Sequence, residues 1–187
     1  MQLHNQGLVE ESGADGFSLR APAETDYFID NRTGYSRANA PCRYETVHGD
    51  FVCRVRVRPQ FTGCYDAGAI LVLADDRRWI KAAFEQTDLG YPVVVTVITD
   101  NASDDANGEP VPGMAVWLQV IRQGRFWAVH YSPDGTAWKM ARYFEMEMPE
   151  QLRVGCSAQS PAGQGCLVRF SGFSFSREVC KDLRKGI

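Results

Sequence analysis

The sequence has no apolar run near the ~18–20 residues that a membrane-crossing helix needs, and no membrane role is expected for it. It has no Cys-x-x-Cys pair, no cysteine with a histidine at finger spacing, and only three histidines, His4, His48 and His130. A metal centre is therefore not expected, and neither is a cofactor. It has no cationic excess: 20 Lys and Arg stand against 23 Asp and Glu, a net charge of −3. No overall field draws in nucleic acid or an anionic surface. The first residues, MQLHNQGLVEESGADG, lack both a basic stretch and an apolar stretch of signal-peptide type, so the expected location is cytoplasmic. In that compartment the six cysteines read as free thiols serving as small hydrophobes. No internal repeat and no low-complexity segment occurs, and no helical periodicity of ten residues precedes the tail.

What is present is short-range alternation. A chain of 187 residues fits one domain and buries roughly 70% of its unfolded surface. Residues 1–15 read as a flexible lead-in, 16–176 as a single β-domain, and 177–187 as a short charged tail with helical character. Gly16–Ala21 alternates as a first strand, and 26–29 is a short strand or a single turn. Residues 33–43 read as irregular. In 50–58, Phe51, Cys53, Val55 and Val57 point one way and Arg54, Arg56 and Arg58 the other. The stretch 65–100 holds three apolar runs, 69–73, 79–84 and 93–98, separated by turn-like clusters. Residues 100–113 are rich in Asn, Asp, Gly and Pro and read as a long loop. Strands follow at 115–122, 125–131, 138–144, 152–158 and 167–175. About ten to twelve short strands with regular turn signals predict an all-β, two-sheet antiparallel sandwich.

An ordered set of short motifs runs along the chain. Asp50-Phe51 opens a strand, followed by Tyr65-Asp66-Ala67-Gly68, Trp79-Ile80-Lys81-Ala82 with Glu85, and Val95-Thr96. Then come Val116-Trp117-Leu118, Arg122 with Gly124, Tyr131-Ser132 with Asp134-Gly135 and Trp138, Gly155 with Ser160-Pro161, and Phe170 to Phe173. The set resembles domain-of-unknown-function family 1349, whose fungal members carry a regulation-of-enolase name. The resemblance spans about residues 16–176 and implies a concanavalin A-like jelly roll, with no established activity. Gln119, Val97, the stretch 103–105 and the shortened motif at Asp66 depart from the family pattern.

On a strand, Trp79, Lys81 and Glu85 share one face, while Ile80, Ala82 and Phe84 share the core face. With the concave sheet that the resemblance implies, the first set suits a sugar: an aromatic face stacks on C–H surfaces and charged groups meet hydroxyls. Asp66, Trp117 and Gln119 join as further candidate ligand-binding residues. The alternative is a solvated face with a weak ion pair. The arginine row could take an anion, or could protect a sheet edge. Glu145 and Glu147 lie about 6.6 Å apart on one strand face, a hydrolase-like spacing that Met148-Pro149 interrupts. His130, Ser132 and Asp134 lie within one turn, where they cannot relay a proton. The loop at 100–107 carries calcium-type ligands without a calcium-loop spacing. No residue is assigned as catalytic. The expectation is a non-enzymatic protein that binds a carbohydrate or small polar ligand on the concave face. Its rivals are a protein-interaction module acting on a metabolic enzyme and a glycoside hydrolase or lyase.

Overall fold

The computed structural model describes residues 1–178 and 180–187. Two seven-stranded antiparallel sheets face each other. The first runs in the order β1 (Gln2–His4), β6 (Cys42–His48), β15 (Gln151–Gln159), β8 (Ala67–Asp75), β9 (Arg78–Gln86), β10 (Pro92–Asp100) and β11 (Ser103–Pro110). The second runs β14 (Lys139–Glu145), β13 (Phe126–Ser132), β12 (Val116–Gln123), β7 (Phe51–Gln60), β16 (Cys166–Ser176), β3 (Gly16–Ala21) and β2 (Leu8–Gly13). A hairpin of β4 (Tyr27–Asp30) and β5 (Tyr35–Ala38) stands apart from both.

The main core lies between the sheets. Ile80, Ala82 and Phe84 of β9 are fully buried there with Val55 and Val57 of β7 and Val116, Leu118 and Val120 of β12, as alternation predicts. The sheets differ on their other faces. In the second, β7 alternates over its second half and shows Arg56 and Arg58 to solvent. In the first, the central strands β8, β9 and β10 are buried on both faces, with the hairpin packing Tyr27 and Ile29 onto Leu71, Leu73 and Trp79 at one end. This explains their continuous apolar runs, since a strand covered on two faces has no polar phase to show.

Several expectations change. The lead-in supplies β1 and β2, each the edge strand at one end of its sheet, paired to β6 and β3. Residues 35–38 and 42–48 are strands, the second added to the first sheet through β15. The expected loop at 100–113 is mostly β11, paired to β10 from Val93↔Pro110 to Thr99↔Ser103. Its polar composition suits an edge strand, where charges discourage pairing with another chain. The arginine row does not guard an edge, because β7 is flanked by β12 and β16. The tail forms no helix among its described residues. It folds back so that Leu183 and Cys180 cover Val52, Ile121 and Ala128; Val179 lies outside the described residues.

All six cysteines are unpaired, with Cys42, Cys53, Cys156 and Cys166 buried. Burial pushes the Cys42 and Cys166 thiols up to about 12, which suppresses the reactive thiolate. A disulfide-exchange reagent should therefore titrate only Cys64 and Cys180 in the native protein and all six after unfolding. Rapid native reaction of all six would contradict this packing.

Candidate functional site

Because Lys81, Ala83 and Glu85 alternate away from the main core, they point to the outer face of the first sheet. Across the ladders the same face holds Ala67, Ala69 and Leu71 of β8 and Val93, Val95 and Val97 of β10. Gln159 of β15 and Asp105 and Asn107 of β11 complete it. The side chains at 67, 69 and 83 are small, and the hairpin covers only one end of this face. What remains is a cavity of about 540 Å³. Asp26, Lys81, Glu85 and Gln159 line it together with Phe28, Tyr35 and Tyr65, and Asp88 and Asp105 stand at its rim.

Its polar floor is a buried network. Lys81 Nζ donates to Asp26 Oδ1 at 3.1 Å and to Gln159 Oε1 at 2.9 Å. Gln159 Nε2 donates to Glu85 Oε2 and to the Tyr65 carbonyl, both at 3.3 Å. Asp26 also accepts from the Tyr27 amide at 2.8 Å and the Tyr35 hydroxyl at 3.2 Å. The hairpin is thus tied to the sheet by charge as well as by apolar packing. Lys81 is only 2% exposed and Asp26 6%, so each depends on the other for charge compensation. Among the described residues, none pairs with Glu85 as a counter-ion of its own. Burial pushes its carboxyl up to about 8, Lys81 pulling it down and Asp26 and Asp105 pushing it further up. At neutral pH it is mainly a neutral acid that can donate a proton. Burial, and then the Asp26 charge, likewise raises the Tyr35 phenol.

The candidate residues do not all meet. Lys81 and Glu85 line the cavity, as their shared strand face predicts. Trp79 does not offer a stacking surface. It is fully buried at the hairpin end of the same face, edge-on to Tyr27 with ring centres 5.3 Å apart. Asp66 is fully buried and acts as a latch: Oδ2 accepts from the Thr62 amide, the Thr62 hydroxyl and the Gly63 amide at 2.8–2.9 Å, and Oδ1 from Ser160 Oγ at 2.6 Å. A Cβ at Gly163 would sit 2.6 Å from Ser160 Oγ and 2.9 Å from Asp66 Oδ1, so a larger residue there would push on both side chains of the latch. Gln119 and Trp117 belong to the second sheet and face away from the cavity. Gln119 accepts from Arg54 Nε at 2.5 Å and donates to the Gly186 carbonyl at 3.1 Å, anchoring the tail. The Trp117 ring lies against Gly135 and Gly172.

The hydrolase-like carboxylates are also elsewhere. Glu145 and Glu147 are exposed and pair with Arg125. Ser132 Oγ donates to Asp134 at 2.8 Å, while His130 faces the Arg184 carbonyl, so no triad forms. In the acidic stretch of β11, Asp104 pairs with Arg142 at 2.8 Å while Asp105 turns to the cavity. Among the described residues no three His, Cys, Asp or Glu side chains converge as metal ligands.

Sequence reasoning missed Asp26, Phe28, Tyr35, Tyr65 and Gln159. One signal was available. Lys81 sits inside an otherwise apolar run, and a charge buried on a doubly covered strand requires a buried partner. The backbone at Tyr65 holds φ at +64°, a conformation unusual for a bulky residue. It is fixed by the Asp66 latch and by the Tyr65 amide donating to the Gln86 carbonyl at 2.7 Å.

A family model described as "Protein of unknown function (DUF1349)" matches residues 4–178, and the chain belongs to that family. The Saccharomyces cerevisiae protein named "Regulation of enolase protein 1" is 27% identical over 180 residues, 95% of this chain and 89% of that protein. A crystal structure described as a functionally unknown protein from Saccharomyces cerevisiae is similar with a TM-score of 0.88 and 25% identity, over 96% of this chain and 97% of that one. The carbohydrate-binding module CBM66 from Bacillus subtilis is similar with a TM-score of 0.59 and 10% identity, over 93% and 94% of the two chains. The last likeness is one of fold: the two sheets form a concanavalin A-like sandwich.

Two outcomes test the network. Lys81→Met leaves Asp26 buried without its cation and should cost about 3–5 kcal/mol; adding Asp26→Asn should restore much of that in urea unfolding. An undiminished double-mutant loss would mean the pair is not coupled. The second concerns Glu85. An unfolded glutamate ionises near 4.5 while the folded one holds its proton to about 8. Between those values the unfolded chain binds fewer protons, so Glu85 lowers stability progressively as pH rises. Glu85→Gln removes this loss, and its stability relative to wild type should rise from about pH 5 to about pH 8. A flat difference would place the Glu85 carboxyl in water.

Proposed function

We propose that this member of the DUF1349 family binds a small polyhydroxylated ligand, a carbohydrate of mono- or disaccharide size, in the cavity on the outer face of its first sheet. The observation that carries this reading is the lining itself. Three aromatic side chains, Phe28, Tyr35 and Tyr65, stand around a floor of buried, hydrogen-bonded polar groups. Aromatic faces suit the C–H surfaces of a sugar ring, and fixed donors and acceptors suit its hydroxyls. A neutral Glu85 donates where an ionised one could only accept. The size of the cavity, about 540 Å³, falls within the range of small-molecule sites, roughly 300–1,000 Å³. A module of the same fold is named for carbohydrate binding, which is support by analogy.

A second reading, an interaction module that acts on a metabolic enzyme, is supported by the name of the yeast relative. The two readings separate by experiment. Tyr65 is 41% exposed at the rim, and Tyr65→Asn removes the ring while keeping a residue that tolerates positive φ. On a glycan array followed by calorimetry, wild type should bind a short saccharide, and the variant about tenfold more weakly. Absence of saccharide binding, together with a complex with purified enolase that Tyr65→Asn leaves intact, would favour the second reading.

A further inference from the structure

We infer that the cavity selects ligands that carry a primary ammonium group, amino sugars above neutral or anionic ones, with Glu85 as the counter-ion. The inference rests on the saccharide reading for the rest of the ligand, but its own ground is the distribution of charge. Four carboxyl groups line the cavity, from Asp26, Glu85, Asp88 and Asp105, against one cation, Lys81. That cation is already committed. Its ammonium is held by Asp26 Oδ1 at 3.1 Å and Gln159 Oε1 at 2.9 Å, and the side chain is 2% exposed. An entering phosphate or carboxylate would therefore meet the rim carboxylates of Asp88 and Asp105, with no free cation among the lining residues to receive it.

Glu85 is the group this arrangement leaves incomplete. Its Oε2 accepts from Gln159 Nε2 at 3.3 Å; among the described residues no donor reaches Oε1. The side chain is 8% exposed and forms part of the cavity wall. The described residues thus set a carboxyl at a cavity wall and supply it with one hydrogen bond, from Gln159, and no paired counter-ion. A ligand ammonium would provide three N–H donors and a positive charge. The groups that face Glu85 are Lys81 on its own strand, Asp26 ahead of β4, Asp105 on β11, Asp88 after β9, and Tyr65 with Cys64 in the loop before β8. Burial raises both the Cys64 thiol and the Tyr65 phenol, so neither adds charge near neutrality. When the ammonium binds, Glu85 gives its proton to solvent and becomes the carboxylate of the new pair. Binding is then coupled to proton release, and affinity climbs with pH until the ligand amine itself begins to lose its proton.

The test is calorimetry on the full chain with four probes: glucosamine, glucose, glucose 6-phosphate and 1,3-diaminopropane. Glucosamine should bind at least about tenfold more tightly than glucose, and glucose 6-phosphate not measurably. At about pH 6.5 the glucosamine heat should vary with the ionisation enthalpy of the buffer, which reports the released proton. Glu85→Gln, checked for an unchanged fold by circular dichroism, should bring the ratio of glucosamine to glucose affinity close to one and abolish the buffer dependence. Glucose binding as tightly as glucosamine would overturn the ammonium inference and leave the saccharide reading standing. Binding of the diamine without either sugar would do the reverse. Silence from all four probes at millimolar concentration would remove both.

Discussion

The ion pair between Lys81 and Asp26 is the contact on which the cavity depends. It joins the middle of the first sheet to the hairpin laid across it, at a point where neither charge has water to fall back on. Desolvation makes such a pair a weak source of net stability but a strong one of position, because separating it strands two buried charges. Gln159 extends the pair to Glu85, and Tyr35 braces it from the hairpin. A substitution in this set therefore moves a wall of the cavity as well as a charge.

The two sheets divide the work. The second shows Arg56 and Arg58 to solvent and holds its buried outer polar residues in local contacts, with Gln119 and His130 anchoring the tail. The first is covered by Tyr27, Ile29 and Phe28 over part of its outer face and left open where alanines replace larger side chains. The opening is bounded by backbone held in an uncommon conformation at Tyr65. Asp66 and Ser160 provide the constraint that keeps it there. Rigid positioning of this kind suits recognition of a small ligand, since little ordering remains to be done on binding.

The sandwich was legible in the sequence because strand alternation is a local property: Phe51, Cys53, Val55 and Val57 had to share a face wherever the strand lay. Lys81 and Glu85 shared a face for the same reason, and that face does hold the cavity. Trp79 failed on the same argument. Alternation tells that it points away from Phe84, but not that Tyr27, more than fifty residues earlier in the chain, closes over it. Gln119 and Trp117 failed because two alternating strands look alike whichever sheet they join. The strand at 103–110 was hidden by its composition, since an exposed edge strand has no apolar phase to betray it.

The sequence by itself determined the class of fold, the identity of the core face on each main strand and the oddity of a lysine in an apolar run. These follow from the two-residue period of a strand and from the cost of burying charge. Only the tertiary structure decided which polar residues meet. Asp26, Lys81, Glu85 and Gln159 come from three separated stretches of chain, and their shared environment exists only once the hairpin lies on the sheet. The state of Glu85 was decided there too, because a carboxyl is neutral or charged according to the water it loses and the charges it gains, and neither is a property of its neighbours in sequence.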